Sequence, residues 1–358
     1  MNADIQLNLL SNDGIELFKS LQTAAAQTVA ERFYHVHGAH YERFGTKGHE
    51  ACYEDLMFHL EFLRPALEFG LIQPMIDYLC WLNSVLSSRD IPSEHLSLSL
   101  DWLGEFFAAH MTPDDARIVV DALTAAKAGF EKTADRTLQP RASKAPWPEV
   151  SEFVKALLAG GFAAAQGILD RCLAEGKHLI DIEIHVIQPA LYEIGEKWQK
   201  NEVSVAQEHL ATAMTQSLMA VALQKMHPLP SVNKRVLLAC VEGNNHAVGL
   251  QMVADAFLLS GWEVQYLGAN VPTKSLIEQA ATWHPDLIGL SVSFPQQLRI
   301  VKSVIAQLNE HFGARRPAVM VGGLAFNRFQ ELAELTGADS CCLDAKTAVE
   351  FADKISKP

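Results

Sequence analysis

The sequence predicts helices in roughly its first two thirds and a parallel α/β domain in its last third. Up to about Met226, apolar residues recur every three or four positions, a spacing typical of amphipathic helices. After His227 the pattern changes, and five short β-rich segments alternate with helical stretches of ten or more residues. This alternation predicts a doubly wound, flavodoxin-like parallel sheet. The predicted strands are Arg235–Cys240, Glu263–Leu267, Asp286–Val292, Ala318–Val321 and Ser340–Leu343.

Prolines divide the N-terminal helical region. We expect the prolines at positions 65, 74, 92 and 113 to separate several helices. Thr112 is the predicted N-cap of a helix that begins at Pro113, because a hydroxyl before proline and two acidic residues is typical of a helix start.

A polar segment with three prolines, residues 131–148, is the predicted linker. Beyond it, Gly160-Gly161, Gly176 and residues 200–204 interrupt the helical pattern and predict a bundle of four helices. The predicted domains are 1–135, 148–228 and 233–358.

Composition excludes several classes of function. The 29 Lys and Arg are outnumbered by 42 Asp and Glu, giving a formal charge of −13, so direct binding of DNA is not expected. No apolar run is long enough to span a membrane, and the N-terminus lacks the pattern of a secretory signal. The six cysteines have no CxxC spacing. These features predict a cytoplasmic protein with reduced cysteines.

Three polar or glycine-containing motifs follow predicted strands one, three and four. They are Asn244-Asn245-His246-Ala247-Val248-Gly249, Ser291-Val292-Ser293 and Gly322-Gly323. Between Gly249 and Ser291 lie 41 residues, and between Ser293 and Gly322 lie 28. Ligands of such sheets bind beyond the carboxyl ends of the strands, so we expect the three motifs to form one site.

These residues and intervals resemble the cobalamin-binding domain, whose signature is Asp-x-His-x-x-Gly, then Ser-x-Leu, then Gly-Gly. The resemblance implies that His246 is the lower axial ligand of cobalt, and that the cofactor's nucleotide tail threads between strands one and four beside the glycine pair. Two residues depart from the pattern: Asn244 replaces Asp and is expected to accept a hydrogen bond from the imidazole, and Ser293 replaces the apolar residue. The candidate cofactor-binding residues of this domain are Asn244, Asn245, Ala247, Val248, Gly249, Leu267, Gly268, Ser291, Ser293, Gly322 and Gly323.

A second motif precedes the α/β domain. Ser204 and Gln207 form a predicted capping box, so a helix begins at about Val205 and presents Val205, Glu208 and His209 on one face. Trp198 lies just before it. This arrangement resembles the four-helix cap of CarH-type photoreceptors, which implies that these four residues line the pocket of an adenosyl group above cobalt. Taken alone, the same residues are more typical of a core tryptophan and a solvated helix surface.

One position departs from the CarH-type pattern. In that family a histidine follows the tryptophan and binds cobalt after photolysis, but here the residue is Gln199, a poor ligand for cobalt. His209 is the nearest alternative.

The N-terminal region lacks the basic character of a DNA-reading winged helix. It contains an aromatic, histidine-rich stretch from Arg32 to Arg43. A metal site is a weaker interpretation of this stretch than a large planar ligand stacked on aromatic rings. The whole layout resembles the photocobilins, which bind cobalamin and biliverdin close together. Covalent attachment of a bilin would need Cys52 or Cys80, although such cysteines are more often buried apolar residues.

The sequence therefore predicts a light sensor. We expect it to bind adenosylcobalamin, to change conformation or oligomeric state when light breaks the cobalt–carbon bond, and to form a homo-oligomer, most simply a dimer. Biliverdin is the expected second chromophore; the alternative for residues 1–135 is a dimerisation or docking module only. Two alternatives remain: a corrinoid protein that carries methyl groups between methyltransferases, and a binding module whose cobalamin is purely structural.

Overall fold

The computed structural model describes residues 7–133, 145–329 and 332–355. The chain divides into two compact units, Met1–Gln139 and Pro140–Pro358. Most of the predicted linker, residues 134–144, lies outside the described residues. None of the described helices combines the length and the hydropathy of a membrane span.

Helices make up the described part of the N-terminal unit. They are α1 (Asn12–Tyr41), α2 (Gly45–Phe69), α3 (Gln73–Ser87), α4 (Ser93–His110) and α5 (Pro113–Thr133). The core between them contains fully buried aromatic and aliphatic side chains, among them Phe18, Leu60, Leu63, Phe107 and Phe130. Burial of these apolar faces stabilises the unit.

Three of the four prolines lie at helix starts, as predicted. Pro74 is in the first turn of α3, Pro92 precedes α4, and Pro113 begins α5 after Thr112, whose hydroxyl accepts a hydrogen bond from the Asp115 N–H at 3.3 Å. The prediction for Pro65 was wrong, because this residue lies inside α2. Its ring is buried in the core one turn before the helix ends, and we attribute its tolerance there to that burial, which offsets the missing backbone bond.

The predicted bundle of four helices is confirmed at the start of the second unit. Its helices are α6 (Val150–Leu158), α7 (Phe162–Ala174), a third helix composed of α8 (Leu179–Ile182), a π-turn (Glu183–Ile187) and α9 (Gln188–Gln199), and α10 (Val205–Leu223). Gly160 and Gly176 have positive φ angles of 67° and 81° and end α6 and α7. The π-turn was not predicted. We call this bundle, residues 150–223, the cap.

The α/β domain follows the cap. Its parallel strands are β1 (Arg235–Val241), β2 (Glu263–Val271), β3 (Leu287–Ser291), β4 (Ala318–Gly322) and β5 (Ser340–Cys341), in the spatial order β2-β1-β3-β4-β5. Its helices are α11 (Val248–Leu259), α12 (Thr273–Trp283), α13 (Leu298–Phe312), α14 (Leu324–Arg328) and α15 (Ala345–Ile355). All five predicted strands are confirmed within a few residues. Because β1, β3 and β4 are neighbours, the three motifs after them meet at the carboxyl end of the sheet.

The cap and the α/β domain share a hydrophobic core. Met252 and Ala256 of α11 and Ala345 of α15 are buried in the same apolar cluster as cap residues such as Ile182 and Met214. An ion pair between Lys346 and Asp181 joins the two domains at the edge of this cluster. The second unit therefore holds both predicted C-terminal domains in a single packed body.

Candidate functional site

The loop between β1 and α11 is fixed by one buried amide. The Asn244 side chain is fully buried, its Nδ2 donates a hydrogen bond to the Ser291 carbonyl at 2.9 Å, and its Oδ1 accepts one from the His246 backbone N–H at 3.1 Å. The sequence predicted that this oxygen would accept a bond from the His246 imidazole, and the structure corrects that prediction. Asn244 positions the backbone of His246 relative to the end of β3.

The edge strand β2 supports the same loop. Asn270 accepts a hydrogen bond from the Gly243 N–H at 2.7 Å and donates its own N–H to the Asn244 carbonyl at 2.9 Å. The Tyr266 hydroxyl donates to the Ala247 carbonyl at 3.2 Å. The predicted residues Leu267 and Gly268 lie beside them, where the pairing with β1 shifts register and Gly268 has a φ of 79°. A local bulge therefore directs the end of β2 toward the loop.

The His246 imidazole is accessible, and its neutral form is favoured. The side chain is exposed, yet the surrounding protein disfavours a charged ring and lowers its pKa, while the Glu208 carboxylate acts in the opposite direction. Phe294 contacts the imidazole edge-on, with ring centroids 5.3 Å apart. A neutral, accessible imidazole can ligate a transition metal.

Phe294 and Gln297 are site residues that the sequence motifs missed. Gln297 is buried, and its Oε1 accepts hydrogen bonds from the backbone N–H groups of Ser293 and Phe294 at 3.1 and 3.2 Å. The only signal for them was their position directly after β3.

The ends of β3 and β4 are packed closely together. Ser291 and Ser293 are buried, and the Val292 N–H donates to the Gly322 carbonyl at 2.9 Å. Gly323 has a φ of 99°, and a Cβ atom there would lie 2.5 Å from the Val292 carbonyl oxygen. Glycine is therefore required at this position by the neighbouring backbone.

The strand order places the end of β3 on the expected path of the nucleotide tail. Because β3 lies between β1 and β4, a tail that ran between those two strands would cross the end of β3 at Ser291. Two buried acceptors near these strand ends, Gln296 Oε1 and Asn327 Oδ1, have no hydrogen-bond partner. Such oxygens fit a ligand that is rich in amide N–H and hydroxyl groups.

The capped helix of the bundle faces His246. Ser204 and Gln207 form the predicted capping box, with reciprocal bonds of 3.2 and 3.0 Å, and α10 begins at Val205. Glu208 accepts a hydrogen bond from Thr212 at 2.9 Å and interacts electrostatically with the His246 ring of the other domain. The structure thus brings these two predicted residues together.

The other predicted cap residues remain accessible. Val205 is 50% exposed and the His209 side chain is 75% exposed, with its Nδ1 against Glu208 Oε2 at 2.5 Å. Trp198 and Gln199 are half-buried at the end of α9. An exposed valine beside a histidine and a carboxylate leaves a face of α10 that a ligand could cover.

Family comparisons agree with this geometry. Residues 234–352 match a family model described as a B12 binding domain, and residues 150–223 match a second model with the same description. The second unit is a cobalamin-binding module. The exposed neutral imidazole, the unpaired buried acceptors and the open face of α10 in the described structure fit a corrinoid cofactor.

Relatives of two kinds match this module. The chain is 30% identical over 167 residues to the HTH-type transcriptional repressor CarH of Myxococcus xanthus, a match that covers 47% of this chain and 54% of the repressor. It is 29% identical over 167 residues to a dimethylamine corrinoid protein of Methanosarcina barkeri, covering 46% of this chain and 76% of that protein. The chain spans about half the length of CarH and of the related repressor CarA. A monomethylamine corrinoid protein of Methanosarcina barkeri has 21% identity and a TM-score of 0.48, covering 57% of this chain and 96% of that one.

The N-terminal unit contains an aromatic cluster at the predicted stretch. The Phe33 ring lies 4.6 Å from the Trp102 ring, the His37 ring lies 4.4 Å from the His95 ring, and the Arg32 guanidinium lies 4.3 Å above Trp102. In the described residues, no three His, Cys, Asp or Glu side chains converge on a point where a metal ion could bind.

Two polar atoms beside this cluster lack partners. Tyr34 Oη and His37 Nε2 are buried with no hydrogen-bond partner. Burial raises the pKa of the Cys52 thiol to about 12 and also raises that of Cys80. Both thiols are therefore poor nucleophiles for a covalent bond to a bilin.

The role of Asn244 can be tested by exchanging its amide for a carboxyl. In Asn244→Asp, a carboxylate oxygen would face the Ser291 carbonyl where an N–H donor now lies, so we expect the free energy of unfolding of the second unit to fall by about 1–3 kcal/mol. Asn245 is exposed beside it, so Asn245→Asp is the matched control. Urea unfolding of the cofactor-free chains measures the free energy of unfolding of both variants, and equal values would contradict the positioning role.

Proposed function

We propose that the chain is a light sensor that holds adenosylcobalamin between α10 of the cap and the His246 loop of the α/β domain. One observation carries the proposal: the Glu208 carboxylate of the cap acts electrostatically on the His246 ring of the sheet domain, so the two side chains lie near each other. When bound, the cofactor would supply a cobalt–carbon bond that visible light breaks. The protein's contribution is to hold each face of the corrin and to respond when the upper ligand leaves.

His246 would hold the lower face. Its ring is accessible and its pKa is lowered by burial, so protonation competes less with ligation. Asn244 and Tyr266 fix the backbone on both sides of it. Ser291, Ser293 and the Gly322-Gly323 pair would line the nucleotide tail at the adjacent strand ends.

Trp198, Val205, Glu208 and His209 would enclose the upper face. A half-buried indole and an exposed valine offer apolar contact to an adenosyl group, and the carboxylate and imidazole offer hydrogen bonds. Gln199 is a weak ligand for cobalt, so His209 is the side chain of this face best suited to bind the metal once the adenosyl group has left.

The response would be a change in how the cap packs on the α/β domain. Met252 and Ala256 belong to the core that the two domains share, so the cap would pack on them differently before and after the upper ligand leaves. In a homodimer, such a shift would also alter the contacts between subunits.

A corrinoid methyl carrier is the second candidate. The similarity to the dimethylamine corrinoid protein of Methanosarcina barkeri favours it. The two functions differ at the upper face, since a methyl carrier must expose its cobalt to partner enzymes while a photoreceptor must enclose the larger adenosyl group.

Replacement of Trp198 discriminates between these functions. We expect Trp198→Ala to reduce the preference for adenosylcobalamin over methylcobalamin by about two- to twelvefold, because an aromatic contact of about 0.5–1.5 kcal/mol is lost. Binding titrations with both cobalamins, and spectra before and after green light, give the measurement. The half-buried tryptophan of α12 provides the control, as Trp283→Ala. If the wild-type chain binds both cobalamins equally and light leaves its spectrum unchanged, the photoreceptor assignment fails and the methyl carrier is favoured.

We further propose that the N-terminal unit binds biliverdin without a covalent bond. The aromatic rings around Phe33 and Trp102 offer flat apolar walls, and Arg32 and His37 offer partners for propionates and ring carbonyls. The unpaired His37 Nε2 and Tyr34 Oη are the polar atoms best placed to be satisfied by such a ligand.

His37 and His35 form a matched pair for testing this site. His35 is exposed on the same helix, whereas the half-buried His37 packs against His95. Full-length wild type and His35→Gln should turn the broad spectrum of biliverdin into a sharper, red-shifted band, and His37→Gln should weaken binding by about tenfold, as expected for a lost hydrogen bond to a charged group. If all three proteins leave the spectrum of free biliverdin unchanged, the N-terminal unit does not bind this bilin. The proposal for cobalamin would be unaffected.

A further inference from the structure

Two buried carboxyl groups meet where the cap packs on the α/β domain. Glu183 begins the π-turn of the cap and is 0% exposed, and Asp255 lies in the middle of α11 and is 5% exposed. They belong to different domains of the second unit and lie outside the proposed cofactor face.

The two groups lack a donor. Both oxygens of Glu183 and Oδ2 of Asp255 are buried with no partner that donates a hydrogen bond. Two ionised carboxylates cannot bond each other, because both are acceptors only. A hydrogen bond between them forms only when one carries a proton.

The surrounding charges do not neutralise the pair. Across the same interface, Lys346 of α15 is paired with Asp181. His185 of the π-turn is stacked on Trp147 and bonds the Ala145 carbonyl. Tyr266 of β2 interacts electrostatically with Asp255, but its hydroxyl donates to the Ala247 carbonyl. Lys177, which precedes α8, bonds Glu149. Among the described ion pairs, none includes Glu183 or Asp255.

Electrostatics favour the protonated form. Burial, followed by the charge of Asp255, holds the pKa of Glu183 well above its ordinary range. Burial raises the pKa of Asp255 to about 6, and a hydrogen bond from a protonated Glu183 acts in the opposite direction. Two adjacent carboxyls in a buried site cannot both ionise without a large cost.

The local backbone connects this pair to the loop of His246 through α11. The Gln188 N–H bonds the Glu183 carbonyl, an i to i+5 bond that adds a residue to the turn and aims the Glu183 side chain into the interface. Asp255 lies on α11, the helix that begins two residues after His246. Movement of α11 against the cap therefore changes the environment of the pair and the position of the loop together.

We propose that Glu183 and Asp255 form a proton-binding site that fastens the cap to the α/β domain, and that separation of the two domains releases a proton. When the interface opens, water solvates both carboxyls and their pKa values return toward about 4. The open state then binds fewer protons than the closed state above that pH, so a rise in pH favours opening. A ligand whose binding requires the cap to move therefore has to break this proton-dependent contact. Such a contact needs no bound cofactor and would operate whether the module senses light or carries methyl groups.

Hydrogen exchange of the full-length, cofactor-free chain tests this proposal. The opening equilibrium for α11 and the π-turn, corrected for intrinsic exchange, should rise by about tenfold per pH unit above about pH 6, as release of one proton requires. In Glu183→Gln, a permanent amide donor replaces the bound proton, so the slope should disappear and the interface should be more protected than wild type at alkaline pH. In Asp255→Asn, Glu183 stays buried but the new amide can donate to its ionised carboxylate, so the slope should become shallower than in the wild type.

The neighbouring acid provides a matched control. Asp181→Asn removes the ion pair with Lys346 across the same interface, so opening should increase while the wild-type pH slope remains. Infrared spectra offer an independent readout, since the wild type at neutral pH should show a carboxylic acid C=O band that Glu183→Gln lacks. A wild-type slope retained in Glu183→Gln, or no such infrared band, would overturn the proposal.

Discussion

The amide of Asn244 holds the end of β3 and the loop after β1 in one geometry. Its Nδ2 bonds the Ser291 carbonyl, and its Oδ1 bonds the His246 N–H, with no solvent contact at either. Because buried hydrogen bonds of this kind are costly to break without replacement, the amide sets where the His246 imidazole projects. The position of the proposed lower ligand thus depends on a side chain that does not touch the ring, and a carboxylate at this place could not donate to Ser291.

The position of the His246 loop also depends on the core that the cap and the α/β domain share. Met252 and Ala256 pack with cap residues, so α11 is at once the helix that follows His246 and a wall of the cap's core. In the proposed function, a ligand between Glu208 and His246 would change this packing. The protonated acid pair lies in the same interface, which links the free energy of opening to the protonation of Glu183 and Asp255.

Much of this arrangement is readable from the sequence. The strands were predictable because each is a short apolar run bounded by turn residues, and the Ser204 and Thr112 caps because their hydroxyls lie at fixed offsets from helix starts. The motifs at residues 244–249, 291–293 and 322–323 met at one sheet edge because parallel strands end on the same side. Other features depend on tertiary contacts that no local pattern encodes. Pro65 lies inside a helix, where its ring is buried in the core. The π-turn has no characteristic sequence. Asn244 bonds the backbone of Ser291, which is distant in sequence. Glu183 and Asp255 are separated by more than seventy residues, and each alone is typical of a helix surface.

The central claim is that His246 binds the cobalt of a cobalamin held by this module. Electron paramagnetic resonance of the chain reconstituted with cobalamin in its cobalt(II) form tests it most directly, using protein labelled with heavy nitrogen (15N) in histidine only. If the His246 ring nitrogen is the axial ligand, labelling should convert the threefold superhyperfine splitting of each cobalt line into a twofold one, and His246→Ala should remove the effect of the label. A threefold pattern that persists in the labelled protein would mean that the cofactor's own base remains on the metal, and would contradict the account.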